Sequence, residues 1–213
     1  IVYGLVDRLL PFSPQTRLAV LHGVNGVLYC LMLTVILCWA ARWFGKGAMV
    51  LSAVCAAAIM PHTFSFATNL YWLGWVQMLP MAVMCFTLRR GLPARHCGLR
   101  LFLSAFIPCL IRFLCQYEYV SDVCICLMVP VLVQLWAEPD GARRFWRTAV
   151  PPTVGALAAF GASVVYKLCV LARLDGGFAA AWKRFMEPVA VRLFGKASEA
   201  YEYSQEASQA SLP

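Results

Sequence analysis

Charge is scarce in this chain, and scarcest where the apolar runs are longest. Asp, Glu, Lys and Arg make up 13% of the residues, about half the share usual in soluble domains. Residues 18–41 contain none of them, and only His22, Asn25 and Thr34 interrupt the apolar character. Strict alternation of apolar and polar residues is also missing, which argues against a membrane β-barrel. There is no nucleophile elbow, no phosphate-cradling glycine loop and no paired-histidine metal motif. The ten cysteines have no zinc-finger spacing, since Cys124 and Cys126 are separated by one residue rather than two. They are expected to pack as small buried hydrophobes. No signal-peptide pattern opens the chain, because Asp7 and Arg8 break its apolar character too early.

What remains is a succession of long apolar runs. A helix needs about 20 apolar residues to cross the hydrocarbon core of a bilayer. Residues 18–41, 47–67, 70–88, 99–115, 119–137 and 149–172 each approach or reach that length. They predict an all-α, polytopic integral membrane bundle over residues 1–176. Arg42, Trp43 and Lys46 close the first run, and Arg89 and Arg90 end the third. Pro130 lies within the fifth, and Pro151 and Pro152 fall where the first turn of the sixth is expected, a position that tolerates proline.

The net charge of +8 is concentrated in short connections. Arg89, Arg90, Arg95, His96 and Arg100 lie between the third and fourth runs, and Arg143, Arg144 and Arg147 between the fifth and sixth. Such loops are retained in the cytoplasm, and this distribution argues against a nucleic-acid partner. Residues 62–69 and 116–121, without Lys or Arg, then face the other side. Beyond the sixth run, Phe178, Trp182, Phe185, Val189 and Leu193 recur at helical spacing, with Lys183, Arg184, Glu187 and Arg192 around them. Residues 177–197 are therefore expected to form an amphipathic helix lying in the interface, kinked or divided at Pro188. The tail 198–213, rich in Ser, Glu, Gln and Ala, has too little apolar surface to fold alone. A start at Ile1 and a polar stretch stopping at Pro213 suggest a fragment of a larger protein.

Topology gathers polar residues on the non-cytoplasmic face. Ionisable groups in or beside membrane spans are costly unless paired or wet, which makes them functional candidates. Arg112, about one turn inside the fourth span, could snorkel outward, pair with Glu118 or Asp122 and so fix a hairpin, or hold a phosphate in a bidentate contact. Glu118, between Tyr117 and Tyr119, is the candidate general base, and with Asp122 could coordinate a divalent cation. No dedicated metal site is expected. His62, Asn69, Tyr71, Trp72 and Tyr117 complete the candidate substrate-binding set, although a histidine such as His62 is often neutral and satisfied by backbone. Lys167, near the outer end of the sixth span, could hold an anion in the same way as Arg112 but is expected to snorkel. His22 and Asn25, on one helix face, are expected to hydrogen-bond between helices.

Two short motifs carry a resemblance. Asn69-Leu70-Tyr71-Trp72 followed by Leu79-Pro80, and Tyr117-Glu118-Tyr119-Val120-Ser121, resemble segments of bacterial multi-pass membrane proteins of the GT-C glycosyltransferase type. In those proteins the first motif opens a helix that ends near the leucine–proline pair, and a glycine stands where this chain has Gln116. The helix around residues 182–194, with Arg192 and Gly195, is similar in placement to their surface helices. The resemblance implies transfer of a sugar from a polyprenyl-phosphate donor on the non-cytoplasmic face of a bacterial inner membrane. It also implies a catalytic carboxylate in an outer loop after the first helix. Nothing here matches that loop, which is expected to precede Ile1, so no catalytic residue can be carried over. A transporter or flippase is the main alternative and predicts polar residues at the midplane of broken helices. A non-enzymatic structural subunit is the third and predicts a polar cluster satisfied internally, with no open cavity.

Overall fold

The computed structural model describes residues 11–58, 73–91, 97–115, 120–138 and 141–194. Among them the chain forms six helices: α1 (Pro14–Ala58), α2 (Gly74–Leu88), α3 (Cys97–Cys115), α4 (Val120–Ala137), α5 (Gly141–Leu174) and α6 (Phe178–Phe194). Four of them, α1, α3, α4 and α5, contain stretches long and apolar enough to cross a membrane. The all-α, multi-pass expectation holds at that level. The chain divides into two units, residues 1–161 and 162–213.

Helix α1 begins at Ser13, whose hydroxyl accepts the Thr16 backbone N–H at 3.3 Å while its carbonyl accepts that of Arg17 at 2.9 Å. Pro14 occupies the first helical position, where its missing N–H would have had no helical partner. The two expected runs at 18–41 and 47–67 are joined within this element, of which the second is described only to residue 58. Forty-five residues of helix would extend about 68 Å, more than twice one bilayer crossing. The break is at Gly45, with φ 82° and ψ 165°, a region open essentially to glycine alone. It lies between Arg42 and Lys46, where the sequence led us to expect the first span to close.

Helix α5 differs more from expectation. It starts at Gly141, so Arg143, Arg144 and Arg147 occupy its first two turns rather than a loop. Pro151 and Pro152 consequently lie well inside it. They deprive the Arg147 and Thr148 carbonyls of their usual helical N–H donors. Helix α6 is likewise continuous through Pro188 instead of being divided there. The expected tail at 198–213 lies outside the described residues.

The first unit packs through stripes at four-residue spacing. Helix α3 contributes Leu101, Ala105, Cys109 and Phe113, and α4 contributes Val123, Leu127, Val131 and Leu135. Met84 and Leu88 of α2 and Ala149, Ala156 and Ala159 of α5 complete this core. On α1, Leu21, Asn25 and Tyr29 form a buried stripe of the same kind, and α1 packs on α2. The opposite faces are no less apolar: Leu99, Leu103, Ile107 and Ile111 on α3, and Ile125, Val129 and Leu132 on α4, are exposed. Meanwhile Asn25, Thr87, Arg112, Gln134 and Thr148 are buried. Continuous apolar surface of this extent is an aggregation liability in water and the ordinary state of a helix facing lipid. The cysteines follow the same pattern. Among the described residues Cys85 and Cys109 are buried, while Cys30, Cys38, Cys55, Cys115, Cys126 and Cys169 are exposed, so most do not pack as the buried hydrophobes expected.

Helices α3 and α5 run parallel, with Gly98 beside Pro151, Ala105 beside Gly155 and Phe113 edge-on to Phe160 at 5.6 Å between ring centroids. A Cβ placed on Gly155 would stand 2.6 Å from the Phe102 carbonyl oxygen and 3.3 Å from both Ala105 Cβ and Phe106 N. Two of those atoms are backbone, so neither can swing aside. Close approach through a small residue is how membrane helices gain packing energy when no hydrophobic force separates protein from lipid. Gly155→Ala should therefore lower the thermal unfolding midpoint of the detergent-solubilised protein, at about 1–3 kcal/mol of overpacking. Gly161→Ala, where the added atom meets nothing within 4 Å, should leave it in place. Equal midpoints for the two variants would contradict the close contact.

Candidate functional site

The first unit has two chemically different ends. At one, Arg89 and Arg90 follow α2, Arg100 lies in the first turn of α3, and Arg143, Arg144 and Arg147 open α5. Glu138, just past α4, ties these elements together. Its Oε1 accepts from Gln134 Nε2 at 2.7 Å, and its Oε2 lies 3.8 Å from Arg144 Nη1. Gly91, at φ 90°, brings the turn after α2 to the same place, its Cβ position 3.8 Å from Glu138 Oε1. The Arg89 guanidinium stacks over Phe86 at 3.9 Å. Both basic connections anticipated from sequence thus converge on one end, together with the exposed Trp136 and Trp146. Tryptophan at that level suits the headgroup region.

Arg112 stands at the other end of α3, in its last turn. It lies on the stripe that carries Cys109 and Phe113 and is 0% exposed. This corrects one expectation: the side chain does not snorkel outward but is enclosed in the bundle. An enclosed guanidinium must be offset by acceptors, since an ion moved out of water loses several kcal/mol of solvation. Asp122, exposed in the first turn of α4, is well placed to complement the positive end of that helix.

The other members of the expected site, His62, Asn69, Tyr71, Trp72, Tyr117 and Glu118, lie outside the described residues. Leu73, which follows the Asn-Leu-Tyr-Trp run, adopts a left-handed backbone at φ 45°, ψ 60°, and its carbonyl accepts the N–H groups of Val76 and Gln77. For a residue with a Cβ that conformation costs roughly 1–2 kcal/mol. Leu79 and Pro80 fall in the second turn of α2 rather than at its end, unlike the helix that the resemblance implied. Asn25 is fully buried on the α1 stripe, and Lys167 is exposed. No group of three His, Cys, Asp or Glu suited to a metal ion occurs among the described residues.

Several polar contacts were not anticipated. Between α2 and α3 the Thr87 and Ser104 hydroxyls meet at 2.9 Å, while each also reaches back to its own helix, at Val83 O (2.8 Å) and Arg100 O (2.7 Å). Two hydroxyl hydrogens thus serve three contacts, so one hydroxyl donates across the interface and the other to its own helix. The Gln134–Glu138 bond could have been read from the i,i+4 spacing of a lone glutamine in an apolar run. A groove of about 530 Å³ lies beside the Thr87–Ser104 contact, lined by Leu79 and Val83 of α2 and by a face of α3 that includes Arg100 and Ser104. Arg112 is not among its lining residues.

Comparison with protein families, with curated proteins and with solved structures finds no match to this chain. Its chemistry has to be argued from its own residues.

The interhelical hydroxyl contact can be measured separately. In a double-mutant cycle of Thr87→Val and Ser104→Ala, the coupling should be about 0.6 kcal/mol, the average for such bonds between membrane helices. Strict additivity of the two single variants would mean the hydroxyls do not bond across the interface.

Proposed function

We propose that this chain is part of a polytopic membrane glycosyltransferase that uses a polyprenyl-phosphate-linked sugar on the non-cytoplasmic face of a bacterial inner membrane. The observation that carries the reading is the enclosure of Arg112 at the end of the bundle away from the arginine-rich turns. A guanidinium held in the bundle is pre-ordered for bidentate recognition of a phosphate oxygen pair. In this reading the arginine-rich end is cytoplasmic, and the six apolar runs each cross the membrane. Helix α6 lies in the interface. Glu118 and Asn69 orient the sugar, with Tyr71, Trp72, Tyr117 and His62 around it.

A second reading, a structural membrane subunit, is favoured by a specific observation: Arg112 does not line the groove described above. There the guanidinium would serve only to lock the ends of α3 and its neighbours.

One pair of variants separates the two. In the full-length protein, Arg112→Ala should abolish transfer from a polyprenyl-phosphate sugar while membrane insertion persists. Arg112→Lys, which keeps the charge but loses the fork, should reduce transfer by about tenfold or more. Transfer at the wild-type rate in both variants would remove Arg112 from the site. Absence of transfer in the wild type, with a lowered unfolding midpoint in Arg112→Ala, would establish the structural role instead.

A further inference from the structure

We propose that the groove between α2 and α3 binds one acyl chain of an anionic phospholipid from the leaflet at the arginine-rich end. This site is distinct from the donor site proposed at Arg112. Leu99, Leu103, Ile107 and Ile111 line it on successive turns of α3 and are exposed, Leu99 at 62%. From Leu99 to Ile111 is twelve residues of helix, about 18 Å, close to the depth of one leaflet, half of a hydrocarbon core about 30 Å thick. The walls are aliphatic along that length, which suits a hydrocarbon chain.

The charged groups are confined to one end. Arg100 lines the groove there, and Arg89 and Arg90 follow Leu88 at the end of α2, the helix that forms the other wall. Ser104 also lines it but is already engaged with Thr87 and the Arg100 carbonyl. Among the described residues, no acidic side chain lines the groove. An aliphatic channel one leaflet deep, capped by arginine at headgroup level, is complementary in charge and shape to a lipid with a net negative headgroup. Basic sites between membrane helices on the cytoplasmic side bind anionic lipids by this combination. A zwitterionic lipid would gain the same chain contacts but little from the arginines.

The test is native mass spectrometry of the detergent-purified full chain with phosphatidylglycerol or phosphatidylcholine of identical acyl chains. Phosphatidylglycerol should be retained as a single adduct in preference to phosphatidylcholine. Arg100→Gln should weaken its apparent affinity about fivefold, as expected for loss of one basic contact. Ile107→Trp, which fills the channel at an exposed position, should reduce retention of both lipids. Thermal unfolding of each variant at the wild-type midpoint would confirm that the fold persists. Equal retention of the two lipids, insensitivity to Arg100→Gln or insensitivity to Ile107→Trp would each overturn the proposal. A second copy of the chain released by Ile107→Trp would overturn it as well, by making the groove a protein interface.

Discussion

The hydrocarbon core of a bilayer offers no hydrogen bonds, so every polar group placed in it must find its partner within the protein. The distribution of side chains in this molecule follows from that constraint. Asn25, Thr87, Arg112, Gln134 and Thr148 are turned inward, while leucine, isoleucine and valine cover the outside as freely as they fill the core. Because lipid is as apolar as leucine, the helices gain little by hiding apolar surface from it. Packing must come from shape, as at Gly155 against the Phe102 carbonyl, and from hydroxyl contacts such as Thr87 with Ser104.

The same constraint polarises the bundle. Among the described residues, six arginines cluster near the start of α3, the end of α2 and the first turns of α5, with Glu138 beside Arg144. Charges of one sign can gather there only because water or headgroups screen them. At the far end of α3 a single arginine is enclosed. Its placement is costly unless it has a task, either holding helices in register or meeting an anion. The proposed transferase and the structural alternative are two answers to that one question.

Much of the fold was legible in the sequence because lipid imposes long uninterrupted apolar runs. Five of the six described helices overlap separate predicted segments, and the sixth, α1, joins two of them. The differences arose where local rules were weaker than context. Basic residues look like loop, yet Arg143, Arg144 and Arg147 extend α5, since arginine is a good helix former. Pro151 and Pro152 suit a first turn and Pro188 a kink or a division of α6, yet all three sit inside continuous helices. Neighbouring helices in a membrane can accommodate the carbonyls that proline leaves free. The burial of Arg112 was not legible, because which face of α3 is covered depends on partners far away in sequence. The groove is not legible for the same reason, being formed by two helices whose sequences give no sign of a gap.

The most direct test of lipid as the outer solvent is a nitroxide scan along α4 in a cysteine-free background reconstituted into vesicles. Positions 125, 129 and 132 belong to the exposed face and 123, 127 and 131 to the core, with Ile125 64% exposed and Leu127 0%. Collision with dissolved oxygen should be high at the first three and low at the second three, while a water-soluble nickel chelate should reach none of the six. Ready access of the chelate to positions 125, 129 and 132 would place that face in water and contradict the account.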